Sequence, residues 1–92
     1  MIQVRKLNET TFEVTVEDQT TTTHTVTVDH DYIEKLTEGK VPAERLVSRS
    51  FDFLLERESN SSILRSFNLN VIRRYFPEYE REIREMLKSP FQ

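Results

Sequence analysis

The stretch Thr22-Thr23-His24-Thr25-Val26-Thr27-Val28-Asp29-His30-Asp31-Tyr32-Ile33 decides the fold, because the spacing of its apolar residues changes inside it. Up to Val28 the pattern has a period of two: His24, Val26 and Val28 fall on one face and Thr23, Thr25 and Thr27 on the other, as in a half-buried strand. From Asp29 onward Tyr32, Ile33 and Leu36 recur at helical intervals. Asp29 or Asp31 is placed to cap that helix, and Gly39, the only glycine of the chain, is placed to stop it. Strand pattern before the switch and helix pattern after it predict an α+β fold.

Upstream, Phe12, Val14 and Val16 alternate with Thr11, Glu13, Thr15 and Glu17, and Ile2, Val4 and Lys6 alternate with Gln3, Arg5 and Leu7. Asn8-Glu9-Thr10 has the length of a hairpin connection, and Asp18-Gln19-Thr20-Thr21 supplies the next turn. Residues 1–28 thus predict a three-stranded antiparallel β-meander. Nine of the ten threonines lie before residue 28, where their stiff β-branched side chains suit a solvated sheet face.

Downstream, Pro42 opens a helix reaching about residue 58. Its apolar positions Ala43, Leu46, Val47, Phe51, Phe53, Leu54 and Leu55 span about 200°, twice the ~100° stripe of a surface helix. The spacing predicts a central buried helix with Arg45, Arg49, Asp52 and Glu56 exposed and an Arg57–Glu58 ion pair at its end. Ser59-Asn60-Ser61-Ser62 breaks the pattern and predicts a further short helix carrying Ile63, Leu64 and Phe67. Val71, Ile72, Tyr75 and Phe76 mark another, and a restart at Pro77 gives a last helix to about Lys88. That helix points Tyr79, Ile83, Met86 and Leu87 inward, with Glu80–Arg84 and Arg81–Glu85 as exposed pairs. The expected architecture is a single domain over 1–92: a three-stranded antiparallel sheet, three to five short helices over 29–88 around the central helix, and a frayed tail at 89–92.

Composition narrows the function classes. A 92-residue chain supports one modest core. It has no cysteine, hence no disulfide, thiol nucleophile or thiolate zinc site. One glycine cannot build a phosphate-cradling loop or a nucleophile elbow. No apolar run approaches the ~20 residues that span a bilayer, and the start lacks a signal-peptide core, so a cytoplasmic protein without membrane attachment is expected. Asp29-His30-Asp31 sets an imidazole between carboxylates, but adjacent residues rarely converge on one ion, and a helix N-terminus accounts for the acids. His24 falls on the apolar face as a hydrogen-bonded packing residue. No catalytic residue, metal site or cofactor is expected.

Two surfaces remain. The net charge of -3 hides an asymmetry, because residues 1–48 carry five bases and nine acids while 49–92 carry eight and seven. Arg65, Arg73, Arg74 and Arg81 can therefore form a nucleic-acid surface on the later helices. Tyr75 and Tyr79, flanking Phe76-Pro77-Glu78, offer a partner surface, and a proline-free third strand offers a sheet edge to a protein partner or a second copy. The leading expectation is a non-catalytic cytoplasmic protein-interaction or regulatory domain, with a homodimer as one form of that association. A nucleic-acid-binding module is the alternative, and a small enzyme ranks last.

The strings His24-Thr25-Val26-Thr27-Val28, Ser50-Phe51-Asp52-Phe53-Leu54-Leu55-Glu56-Arg57-Glu58, Ser62-Ile63-Leu64, Phe67-Asn68-Leu69 and Tyr75-Phe76-Pro77-Glu78-Tyr79 resemble those of a family of small uncharacterised bacterial proteins. The likeness spans about the last three quarters of the chain. It implies a bacterial source and carries no activity, cofactor or site.

Overall fold

Alternation builds the first three strands where the spacing predicts them. In the computed structural model, which describes residues 1–88, β1 (Ile2–Asn8), β2 (Thr11–Glu17) and β3 (Thr21–Thr27) form an antiparallel meander. Asn8 Oδ1 accepts the Thr10 amide at 3.0 Å and tightens the first turn. One face buries Phe12, Val14, Val16, Thr22, His24 and Val26, while Thr21, Thr23 and Thr25 are exposed on the other. The solvated threonine face is present.

After β3 come α1 (His30–Thr37) and α2 (Ala43–Leu55). Asp29 precedes α1, although its side chain makes no capping bond. The helix stops one residue earlier than a glycine stop at position 39 implies, because Glu38 takes the left-handed conformation (φ 55°) and Gly39 follows it at φ 71°. Pro42 stands immediately before α2 and its carbonyl accepts the Arg45 and Leu46 amides. Leu46, Val47, Phe51 and Phe53 are wholly buried, confirming α2 as the central helix. Each such side chain withdrawn from water contributes about 1.5–3 kcal/mol.

The sheet is larger than the expected three antiparallel strands. Residues 59–68 do not form the short helix predicted there. A 3-10 turn at Asn60–Ser62 leads into extended chain, and β4 (Ser66–Asn68) pairs in parallel with β3 through Thr25↔Ser66, Val26↔Phe67 and Thr27↔Asn68. The result is a mixed four-stranded sheet in the order β1-β2-β3-β4. The β3 edge expected to be open is therefore occupied along Thr25–Thr27. The Thr25 amide donates to Arg65 O at 2.8 Å, and Asn60 Nδ2 reaches Thr20 O at 3.0 Å and Thr22 Oγ1 at 3.1 Å.

A second 3-10 turn (Leu69–Val71) runs into α3 (Ile72–Tyr75); Phe76 is extended, and α4 (Tyr79–Lys88) begins two residues after Pro77. Tyr79, Ile83 and Leu87 are buried and Met86 half-buried. The pairs expected within α4 are replaced by others. Glu80 reaches Lys35 at 3.2 Å, Arg73 at 3.4 Å and the Tyr32 hydroxyl at 2.8 Å, tying α1, α3 and α4 together. The expected tail at 89–92 lies outside the described residues. Among the described residues, no helix is long and apolar enough to cross a membrane.

Candidate functional site

Where α2 ends, the chain turns through Arg57 and Glu58 to residues 63–65, which lead into β4 and line one groove with α3. Leu54 and Glu58, Ile63 and Leu64, Phe67 of β4, and Ile72, Tyr75 and Phe76 enclose a groove of about 230 Å³. Leu54, Ile63 and Ile72 are buried in the core, whereas Leu64 and Tyr75 are 51% and 67% exposed. Exposed side chains of that size beside an apolar recess are unusual in a domain with so few large residues to spare. Glu58 is the one charged residue lining the groove, and burial pushes its carboxyl above the usual range.

Glu58 does not pair with Arg57 as expected. The Arg57 guanidinium lies 3.6 Å from the Phe53 ring centroid and donates to Phe53 O at 2.9 Å, Glu82 at 3.0 Å and Glu78 at 3.3 Å. It thus fastens the end of α2 to the start of α4. This leaves Glu58 turned to the groove with no ion-pair partner among the described residues.

The two tyrosines proposed as a partner surface separate. Tyr75 is exposed, but Tyr79 is 0% exposed and cannot present a surface. Its hydroxyl lies 2.6 Å from Ser50 Oγ, and Ser50 Oγ lies 2.8 Å from Leu46 O. A carbonyl only accepts, so Ser50 spends its one proton on Leu46 and Tyr79 must donate to Ser50. Tyr79 belongs to the core.

The four arginines do not form an uninterrupted basic surface. Arg73 meets Glu80 and Arg81 meets Glu82 at 3.8 Å; Arg65 and Arg74 are exposed without an ion pair among the described residues. Asp29, His30 and Asp31 line a separate, shallower hollow with Tyr32, Lys35 and Asn70, and His30 Nε2 sits 4.0 Å from Glu9. Among the described residues, no group of three or more His, Asp or Glu is placed to hold a metal ion.

His24 is buried and fully bonded. Nδ1 lies 2.7 Å from Leu64 O and Nε2 lies 2.9 Å from Thr22 Oγ1. The carbonyl requires Nδ1 to carry a proton, so in the neutral ring Nε2 accepts from the Thr22 hydroxyl, whose oxygen accepts from Asn60 Nδ2. This chain, Asn60 to Thr22 to His24 to Leu64, pins the segment that carries one wall of the groove. Burial holds the His24 pKa below its ordinary value, against the raising effect of the Leu64 hydrogen bond.

Comparison of the chain with protein-family models, curated proteins and solved structures finds no match. Function must be argued from the groove itself. Leu64 carries no sequence signal of its exposure, because it stands in a run of helix-like spacing. Glu58 carries one, its place on the edge of the apolar arc of α2, but that place points equally to an ion pair with Arg57.

Proposed function

We propose that this chain is a small non-catalytic protein-interaction domain whose recognition surface is the groove between the end of α2, residues 63–67 and α3. The observation that carries this reading is an apolar recess open to solvent, with Leu64 and Tyr75 exposed beside it. Its volume, about 230 Å³, falls below the ~300–1,000 Å³ of typical small-molecule pockets and suits one or two side chains of a protein partner. The competing nucleic-acid reading through Arg65, Arg73, Arg74 and Arg81 loses support, since two of the four are engaged by glutamates. The resemblance to small bacterial proteins supports a bacterial cytoplasm as its setting.

A photo-reactive phenylalanine analogue introduced at position 75 in cells tests the reading. Adducts with polypeptide at position 75, and none from the same analogue at exposed Gln3 on the opposite part of the sheet, are expected. Adducts with nucleic acid, or no adduct specific to position 75, would overturn it.

A further inference from the structure

The groove lies among features that complement one another. It offers a recess and an acid, Glu58, half withdrawn from water without a described cationic partner. A carboxylate so placed gains from a cation brought to it. Leu64 and Tyr75 line the groove and are exposed, and each has an exposed arginine as its chain neighbour, Arg65 after Leu64 and Arg74 before Tyr75. Neither arginine is in an ion pair among the described residues.

A foreign partner has to match only the recess and the acid. A surface that also carries the matching projection and the matching base is complementary to itself, which is the requirement of an isologous two-fold interface: residue i meets j and j meets i. Other routes to self-association are weaker. β3 is paired by β4 along Thr25–Thr27, β4 as an edge strand is only three residues long, and the other edge, β1, carries Arg5 and Lys6 and a register irregularity between Lys6 and Asn8, features that discourage edge pairing.

We infer that the chain forms a two-fold homodimer through the groove, the exposed part of Tyr75 on the rim of each groove entering the recess of the other copy and Arg74 of each copy meeting Glu58 of the other. The inference rests on the groove being a protein-recognition surface and names its occupant. Each groove is incomplete without the second copy, which supplies the aromatic filling and the counter-charge. Dimerisation is weak enough to depend on concentration, because each recess takes little more than one side chain.

Sedimentation equilibrium of the full chain from micromolar to millimolar concentration provides the test. The unmodified chain is expected to pass from monomer to dimer. Tyr75→Ala, Glu58→Arg and Arg74→Glu are each expected to raise the dissociation constant at least about tenfold, a loss of about 1.4 kcal/mol. The double variant Glu58→Arg with Arg74→Glu should recover the dimer, since the reversed charges meet again. Glu58→Gln, close in shape, separates loss of charge from loss of fold, and circular dichroism confirms that each variant is folded. A monomer throughout the range, or a dimer indifferent to Tyr75→Ala and unrestored by the double reversal, overturns the inference. If the chain is monomeric yet position 75 still yields polypeptide adducts in cells, only the second copy falls as occupant; if both fail, the protein-recognition reading falls with it.

Discussion

Ser50 and Tyr79 show how much hangs on the direction of one proton. Tyr79 donates to Ser50 Oγ, and Ser50 donates to Leu46 O, in a place neither side chain shares with water. Burial pushes the Tyr79 phenol far above its ordinary pKa, so the donor keeps its proton throughout the ordinary range. Removing the two ends of this link has unequal consequences. Ser50→Ala leaves the Tyr79 hydroxyl buried with a proton and no acceptor, which costs about 1–3 kcal/mol. Tyr79→Phe leaves Ser50 bonded to Leu46 and strands no donor, so it costs about 0.5–1.5 kcal/mol. The double variant removes both groups and should be less destabilised than Ser50→Ala alone. Urea unfolding of the three variants checks the order; a double variant as weak as the sum of the singles would show that the hydroxyls act independently. The partner of Ser50 stands 29 residues away, beyond the reach of any local pattern.

Among the elements, the joint between α2 and α4 depends on Arg57. Its guanidinium covers the Phe53 ring, bonds a backbone carbonyl and reaches two glutamates of the α4 start, all with the side chain only 20% exposed. Most other ion pairs of the molecule are exposed and contribute little. Arg57→Ala should therefore destabilise by about 1.5–3 kcal/mol, the range for hydrogen bonds involving charged groups. Arg57→Lys should restore only part of that, since an ammonium cannot stack flat on the ring while serving several acceptors. A loss within about 0.5 kcal/mol, the usual scale of surface substitutions, in chemical denaturation would refute this role. The meander and α2 were legible because alternation over seven residues and a wide apolar arc are redundant signals. β4 was not: three residues carry no periodicity of their own, and Ile63, Leu64 and Phe67 have helical spacing. Their extended conformation is imposed from outside, by pairing with β3 and by His24 and Asn60 bonding across some forty residues. The groove inherits this illegibility, because the segment that forms one wall of it has helical spacing.

For the molecule as a whole, stability against acid should be lost in two separate windows, and His24 governs the upper one. In the unfolded chain its imidazole titrates near 6.5; in the folded chain burial holds the pKa lower, and the charge of Arg65 acts in the same direction. The groups packed around it otherwise are the Phe51 ring, centred 5.3 Å away, Leu64 O and the Thr22 hydroxyl, none of which supplies a negative charge. Above about pH 7 both states are neutral at His24 and its contribution is fully present. As the pH falls through 6.5 the unfolded chain gains a proton that the folded chain refuses, so unfolding becomes easier until the folded pKa is passed. The size is about 1.4 kcal/mol for each unit of depression. The lower window belongs to carboxylates such as Glu80: burial opposes its charge, but the hydrogen bonds from Tyr32 and Lys35 and the charges of Lys35 and Arg73 prevail and hold its pKa below the usual range. Its contribution is present at neutral pH and disappears only as the pH drops through and below about 4.5. Glu58, shifted the opposite way by burial, slightly favours the folded state on acidification and cannot produce either loss. His24→Gln isolates the upper window, because an amide offers a donor for Leu64 O and an acceptor for Thr22 but does not titrate. Unfolding free energies measured between pH 5 and 7.5 should decline for the unmodified chain and stay level for His24→Gln; parallel slopes in the two proteins would assign the loss to another group.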